Sequence, residues 1–169
     1  FFDWRYLPGG QPDPAFELNQ PRFSGRSILV TRNNFGCGSS REHAVWALAQ
    51  DGYRVVVAPW KEIGGKRLPA FADIFSNNSV KNGLLAVALS EAEVELIFQY
   101  VAAHPGARMS VDLSKQQATL LAEPAIHFNF EIDPGAKQQL LKGLDDIALT
   151  LQYEAHITRF EQKHLSGAP

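Results

Sequence analysis

A strand, a glycine-containing loop, a helix and a second strand follow one another between residues 27 and 58. Residues 27–31 form a short, β-branched apolar run that predicts a buried strand. A helical apolar face follows and ends before Gly52, and it is formed by Ala44, Val45, Ala47 and Leu48. Residues 53–58 then predict another buried strand. Because one helix separates the two strands, we expect them to run parallel, and parallel strands need helices to cover them in an α/β fold.

The rest of the chain predicts a second, antiparallel part. Between residues 59 and 69, a glycine pair flanked by prolines predicts a projecting loop or hairpin. The further expected elements are a short helix at 71–75 that gives way to polar residues, a strand at 84–89, a helix capped by Ser90 to Glu93, closely spaced strands at 108–113, 117–121 and 126–132, and helices at 136–142 and 147–165. The expected fold class is therefore α/β, with a mixed sheet that has a parallel βαβ part and an antiparallel meander.

Composition limits the class of protein. The 169 residues, of which 45% are hydrophobic, are enough for one domain with its own core. A net charge of -2 gives no basic face for nucleic acid, and no apolar run is long enough to cross a membrane. The single cysteine, Cys37, excludes an internal disulfide, cannot hold an iron–sulfur cluster alone, and favours a reducing, cytoplasmic setting. We therefore expect neither nucleic acid nor a membrane as the partner.

The loop between the first strand and the first helix, residues 33–43, carries the candidate site. It contains two glycines followed by Ser39, Ser40 and Arg41. The first backbone N–H groups of a helix have no partners inside the helix and favour an anion. Arg41 adds a permanent charge that can bind a carboxylate through two parallel hydrogen bonds. Since ligands bind at the carboxyl ends of parallel strands, we predict a site for a negatively charged small molecule.

Ser39 also has a purely structural interpretation. With Glu42 three residues later it matches a capping box, in which both side chains only satisfy backbone N–H groups at the start of the helix. The loop matches neither the G-x-S-x-G pattern of hydrolases nor a phosphate-binding loop with its lysine. Spacing alone leaves the cap and the binding site open as alternatives.

Several segments together resemble one family. They are residues 2–7, 33–43, 71–75 with Asn77 and Asn78, 82–85, and 143–151. In this order they resemble the small subunits of 3-isopropylmalate dehydratase, in the aconitase superfamily, over nearly the whole chain. The Gly-Ser-Ser-Arg-Glu-His core at residues 38–43 would by itself indicate only the superfamily.

This resemblance implies a fold, a partner and a reaction. Residues 1–169 are expected to form a single swivelling β/β/α domain that closes over a separate large subunit. The large subunit is expected to carry a [4Fe–4S] cluster whose iron acts as a Lewis acid, and this chain is expected to bind no metal. The implied reaction, in leucine biosynthesis, interconverts 2-isopropylmalate and 3-isopropylmalate through isopropylmaleate, so the ligand is a small dicarboxylate.

The resemblance also assigns roles within the loop. Ser39 is implied to be the catalytic base that removes a proton beside a carboxylate, and its alkoxide needs donors and positive charge. Arg41 is implied to hold a substrate carboxylate, and Ser40 to help position the substrate. We interpret Cys37 as a small buried hydrophobe and His43 as a hydrogen-bonded structural residue.

Two departures from the family leave alternatives open. The family has further residues before Phe1, with an arginine segment that contributes to specificity, so we expect a segment to be missing here. Residues 60–69 are an insertion that either lines the site or contacts the partner. The alternative functions are the small subunit of a related hydro-lyase, acting on homoaconitate or a citraconate or methylmalate type of substrate, and a non-catalytic carboxylate-binding module.

Overall fold

The computed structural model describes residues 2–38, 41–143 and 146–165, which contain seven α-helices, two short 3-10 helices (Glu17–Asn19 and Pro21–Phe23) and seven strands. The helices are α1 (Phe2–Arg5), α2 (His43–Gln50), α3 (Asp73–Lys81), α4 (Glu91–Ala103), α5 (Pro134–Lys142), α6 (Asp146–Leu151) and α7 (Glu154–Leu165). The strands are β1 (Ile28–Val30), β2 (Val55–Ile63), β3 (Lys66–Leu68), β4 (Leu85–Ser90), β5 (Met109–Asp112), β6 (Gln117–Leu120) and β7 (Ile126–Asn129).

Strand β2 is the centre of the first sheet. Strands β1 and β4 both pair with it in parallel, so that Val55 lies opposite Ile28 on one side and opposite Leu85 on the other. Helix α2 connects β1 to β2, and the expected βαβ unit is therefore confirmed. Beyond a turn at residues 64–65, β3 pairs with the end of β2 in antiparallel fashion. Of the two forms expected for the segment 59–69, a projecting loop or a hairpin, the structure shows the hairpin.

Alternate residues of the parallel strands face two different cores. Val55 and Val57 of β2 pack with α4 and the second sheet, whereas Val56 and Ala58 pack with α2 and α3. A strand buried on both faces needs an uninterrupted apolar sequence, and this is why the runs in β2 and β4 are so clear in the sequence.

The meander forms a sheet of its own. Strands β5, β6 and β7 pair in that order and in antiparallel fashion. Ala118, Leu120 and Phe128 bury their side chains in the core that the meander shares with α4 and one face of the first sheet. The predicted fold class, α/β with a mixed sheet, a parallel βαβ part and an antiparallel meander, is confirmed, with the meander as a separate layer.

The capping prediction for α4 is confirmed, while two other helices differ from their predicted extent. Ser90 and Glu93 form a capping box at the start of α4. Helix α3 does not stop at Phe75 but runs to Lys81. Its polar stretch is partly buried, and the hydroxyl of the buried Ser79 is satisfied there by donating to the Phe75 carbonyl at 2.8 Å. The last predicted helix is divided, since a turn in which the Tyr153 N–H donates to the Thr150 carbonyl separates α6 from α7.

The C-terminal helices α6 and α7 expose an apolar surface. Its large exposed side chains are Ile147, Leu151, Tyr153, Ile157 and Phe160. Among the described helices, none combines the length and the apolar character that crossing a membrane requires.

The N-terminal segment is attached to the end of α2. Arg5 and Arg26 both donate to the carboxylate of Asp51, which follows the last residue of that helix. Arg26 also donates to the Tyr53 hydroxyl at 2.7 Å. The residues before β1 are therefore held against the βαβ unit.

Candidate functional site

The loop that leaves β1 is fixed at its first residues. The Thr31 N–H donates to the Val57 carbonyl at 2.8 Å and so prolongs the strand pairing. Arg32 donates to Glu95 of α4 at 2.6 Å, and its guanidinium lies 4.2 Å from the centre of the Phe98 ring. The hydrogen bond from Arg32 is the main reason why the pKa of Glu95 is lowered from its ordinary value. The Arg32 guanidinium is therefore already engaged within the fold.

Asn33 joins this loop to the inserted hairpin. Its side-chain amide donates to the carbonyls of Pro59 and Pro69, both at 2.9 Å. Further along the hairpin, the Arg67 guanidinium lies 4.2 Å from the centre of the Trp60 ring, and both residues line a groove of about 360 Å³ beside α3. The insertion is thus joined to the loop through Asn33, and both of its expected roles, lining the site and contacting the partner, stay predictions.

Phe35 and Gly36 of the loop pack against α3 and the segment before it. The Phe35 N–H donates to the Ala70 carbonyl at 3.0 Å, and the Phe35 carbonyl accepts from the Ala72 N–H at 2.9 Å. The Phe35 ring meets Phe75 edge to face at 5.2 Å. Gly36 follows with a φ of 85°, and a Cβ atom placed on it would lie 2.4 Å from the Phe75 side chain. Only glycine permits this approach.

We expect Gly36→Ala to destabilise the chain by about 2 kcal/mol or more, because it adds a steric overlap with Phe75 to an unfavourable positive φ. Urea denaturation of the purified chain measures this loss. Gly38→Ala is the matched control, since a Cβ on Gly38 meets nothing within 4 Å, and it should stay within about 0.5 kcal/mol of the parent. Equal stability of the two variants would contradict the packing argument.

The residues that the sequence predicts for the site come after Gly36 in the chain. Cys37 is exposed with a free thiol, so the expectation that it is buried is wrong. Among the described loop residues, Phe35 and Gly36 pack against Phe75 of α3. Ser39 and Ser40 lie outside the described residues, and Gly38 and Arg41 are their described neighbours.

The start of α2 contradicts the capping box. The helix begins at His43, and Glu42 occupies the N-cap position without a side-chain cap. A box that starts at Ser39 needs Glu42 at the third helical position, so the helix begins three residues too late for it. The Glu42 carboxylate instead accepts from the Asn82 side chain at 2.8 Å. His43 is exposed and packs its ring 4.6 Å from that of Trp46.

Arg41 differs from Arg32, since no described residue pairs with its guanidinium. Its side chain is exposed, and it forms no ion pair with any residue in the described ranges 2–38, 41–143 and 146–165. Its backbone carbonyl accepts from the Ala44 N–H at 3.1 Å, so the residue is tied to the first turn of α2. A free guanidinium at a helix start is suited to bind a carboxylate through two hydrogen bonds.

Metal binding by this chain can be judged from its potential ligands. Within the described part of the chain, no group of three or more histidine, cysteine, aspartate or glutamate side chains could hold a metal ion. The sequence has one cysteine, whereas a [4Fe–4S] cluster is held by several thiolates. The residues of this chain therefore do not fit such a cluster.

Comparison with known proteins assigns the fold and the loop to a class of proteins. The family model of the aconitase C-terminal domain matches residues 4–92, which include β1, the loop, α2, the hairpin and β4. A solved structure of a 3-isopropylmalate dehydratase chain from Methanocaldococcus jannaschii has a similar fold, with a TM-score of 0.55 and 23% identity over 78% of this chain and 67% of that one. The chain is thus of the class of aconitase C-terminal domains.

A second family model and several relatives narrow this class. Residues 146–169 match the model of the C-terminal domain of 3-isopropylmalate dehydratase small subunits. A 3-isopropylmalate dehydratase small subunit from Desulforapulum autotrophicum is 61% identical, over 96% of this chain and 76% of the relative. A small subunit from Paenibacillus polymyxa is 46% identical, over 96% of this chain and 85% of the relative. One from Neisseria meningitidis is 47% identical, over 100% of this chain and 78% of the relative. The chain belongs to the family of 3-isopropylmalate dehydratase small subunits, hydro-lyase subunits that act together with a large subunit.

Proposed function

We propose that this chain supplies the catalytic base and a carboxylate-binding arginine for the interconversion of 2-isopropylmalate and 3-isopropylmalate. The observation that carries the proposal is the position of Arg41, exposed, unpaired among the described residues and directly after Ser39 and Ser40. The small dicarboxylate substrate follows from the names of the relatives.

In this proposal each of the loop residues Ser39, Ser40 and Arg41 has its own role in the reaction. Ser39 removes the proton from the carbon beside a carboxylate during dehydration and returns a proton during the reverse step. Because a serine hydroxyl is a weak acid, its alkoxide needs stabilisation, which Arg41 and the N-terminal end of α2 can provide. Arg41 binds a substrate carboxylate through both of its terminal nitrogens, and Ser40 helps to position the substrate.

The proposal also covers the [4Fe–4S] cluster and the protein partner of this chain. We assign the [4Fe–4S] cluster of this class to the large subunit, because one cysteine cannot provide its ligands. We also propose that residues 1–169 act as one swivelling domain in a cytoplasmic complex, with neither nucleic acid nor a membrane as a partner. The exposed apolar surface on α6 and α7 supports a protein partner, since surfaces of this kind are usually covered in assemblies.

We expect the isolated chain to show no hydratase activity and to bind no iron, and the complex with its cognate large subunit to be active. The measurement compares 2-isopropylmalate, isopropylmaleate, homoaconitate, citraconate and citrate under anaerobic conditions, together with iron and sulfide analysis of the chain alone. Turnover without the large subunit, or stoichiometric iron in the isolated chain, would overturn the proposal. A preference for homoaconitate or citraconate would instead identify a related hydro-lyase.

A further inference from the structure

We infer that Asn82 is a positioning residue for the candidate site, because its side chain holds the first turn of α2, and with it Arg41, against the end of α3. The inference rests on the proposed function for its catalytic consequence. The contact itself involves only described residues and joins α3 to Glu42, near the end of the loop that carries the predicted base.

The Asn82 amide makes three hydrogen bonds, and each has a different partner. Its Nδ2 donates to the Glu42 carboxylate at 2.8 Å and to the Asn78 carbonyl at 2.9 Å, and its Oδ1 accepts from the Trp46 indole N–H at 2.9 Å. Asn82 is the C-cap residue of α3, and its own N–H donates to carbonyls of the last helical turn. The side chain is therefore anchored in α3 and grips α2 at two points one helical turn apart.

An amide is the one short side chain that fits these partners. The indole N–H needs an acceptor, while the carboxylate and the carbonyl both need a donor, and the asparagine amide supplies both functions. Aspartate has nearly the same shape but offers only acceptors when ionised, and it would place a second negative charge against Glu42. The Asn82→Asp change should therefore release the first turn of α2 without creating a cavity.

Helix α3 holds the other end of the loop as well. Phe75 packs against Phe35 and Gly36 where the loop enters, and Asn82 binds Glu42 where it ends. Arg41 immediately precedes Glu42, so movement of Glu42 moves the guanidinium proposed to hold the carboxylate. A carboxylate bound through two hydrogen bonds tolerates little misplacement, and an error near 1 Å can reduce the rate by about a hundredfold.

Reversing the donor and the acceptor tests this inference. We expect Asn82→Asp to lower the kcat/KM of the reconstituted complex by about tenfold or more, with a loss visible in KM. The double variant that adds Glu42→Gln should recover most of this loss, because a glutamine amide can donate to an aspartate at 82. Asn129→Asp is the matched control, since it makes the same change at an exposed position of β7 in the second sheet and should leave activity unchanged.

Hydrogen exchange supplies a readout that does not depend on activity. In the isolated chain, the amides of residues 42–46 should exchange faster after Asn82→Asp and return toward parent rates in the double variant. An inactive parent complex would refute the proposed function while the exchange experiment still tests the contact. Unchanged kcat/KM and exchange in Asn82→Asp, or a double variant as impaired as the single one, would overturn the inference. If Asn82→Asp does not fold, Glu42→Ala removes the acceptor instead, and parent-like kinetics and exchange in it would overturn the inference equally.

Discussion

Ser39→Ala should reduce the turnover of the reconstituted complex by at least about a hundredfold, since a general base contributes about 10²–10⁴-fold. The chain should still fold and associate. Because α2 begins at His43 with Glu42 at its N-cap position, the loss of about 1 kcal/mol typical of a removed N-cap is not expected from Ser39→Ala. The measurements are kcat for isopropylmaleate hydration, the thermal midpoint of the chain and its co-purification with the large subunit.

The control for Ser39→Ala is a serine in the antiparallel sheet of β5, β6 and β7. Ser110 is exposed in β5, and Ser110→Ala should leave both kcat and the thermal midpoint unchanged. If Ser39→Ala kept near-normal turnover, Ser39 would not be the base. If it lost activity only through unfolding or a failure to bind the large subunit, its role would be structural.

The parts of the fold that the sequence predicts are those with local or periodic signals. The apolar runs of β1, β2 and β4 are continuous because both faces are buried, and the Ser90 to Glu93 capping box is complete within four residues. The extent of α3 was not predictable in this way. Its polar residues resemble a helix end, and only the tertiary structure shows that Ser79 is buried within the helix.

The candidate site could also be predicted only in part from the sequence. The loop composition and its place after a parallel strand are visible in the sequence, and so are Ser39, Ser40 and Arg41 as candidates. The contact of Asn82 with Glu42 joins residues that are 40 positions apart and has no periodic signature, so no pattern could predict it. The sequence also does not show that Arg32 is paired, because its partner Glu95 lies 63 positions away and only the fold places the two side by side.

Arg41→Lys should lower kcat/KM for isopropylmaleate hydration by about tenfold or more, which corresponds to at least about 1.4 kcal/mol of transition-state stabilisation. Lysine keeps the positive charge but loses the planar pair of donors that matches a carboxylate. Arg32→Lys makes the same change in the same loop, where Glu95 already accepts from the guanidinium at the surface, and ion pairs of that kind contribute about 0–1 kcal/mol. We therefore expect Arg32→Lys to be nearly silent, and equal kcat/KM values for the two variants would remove Arg41 from the site.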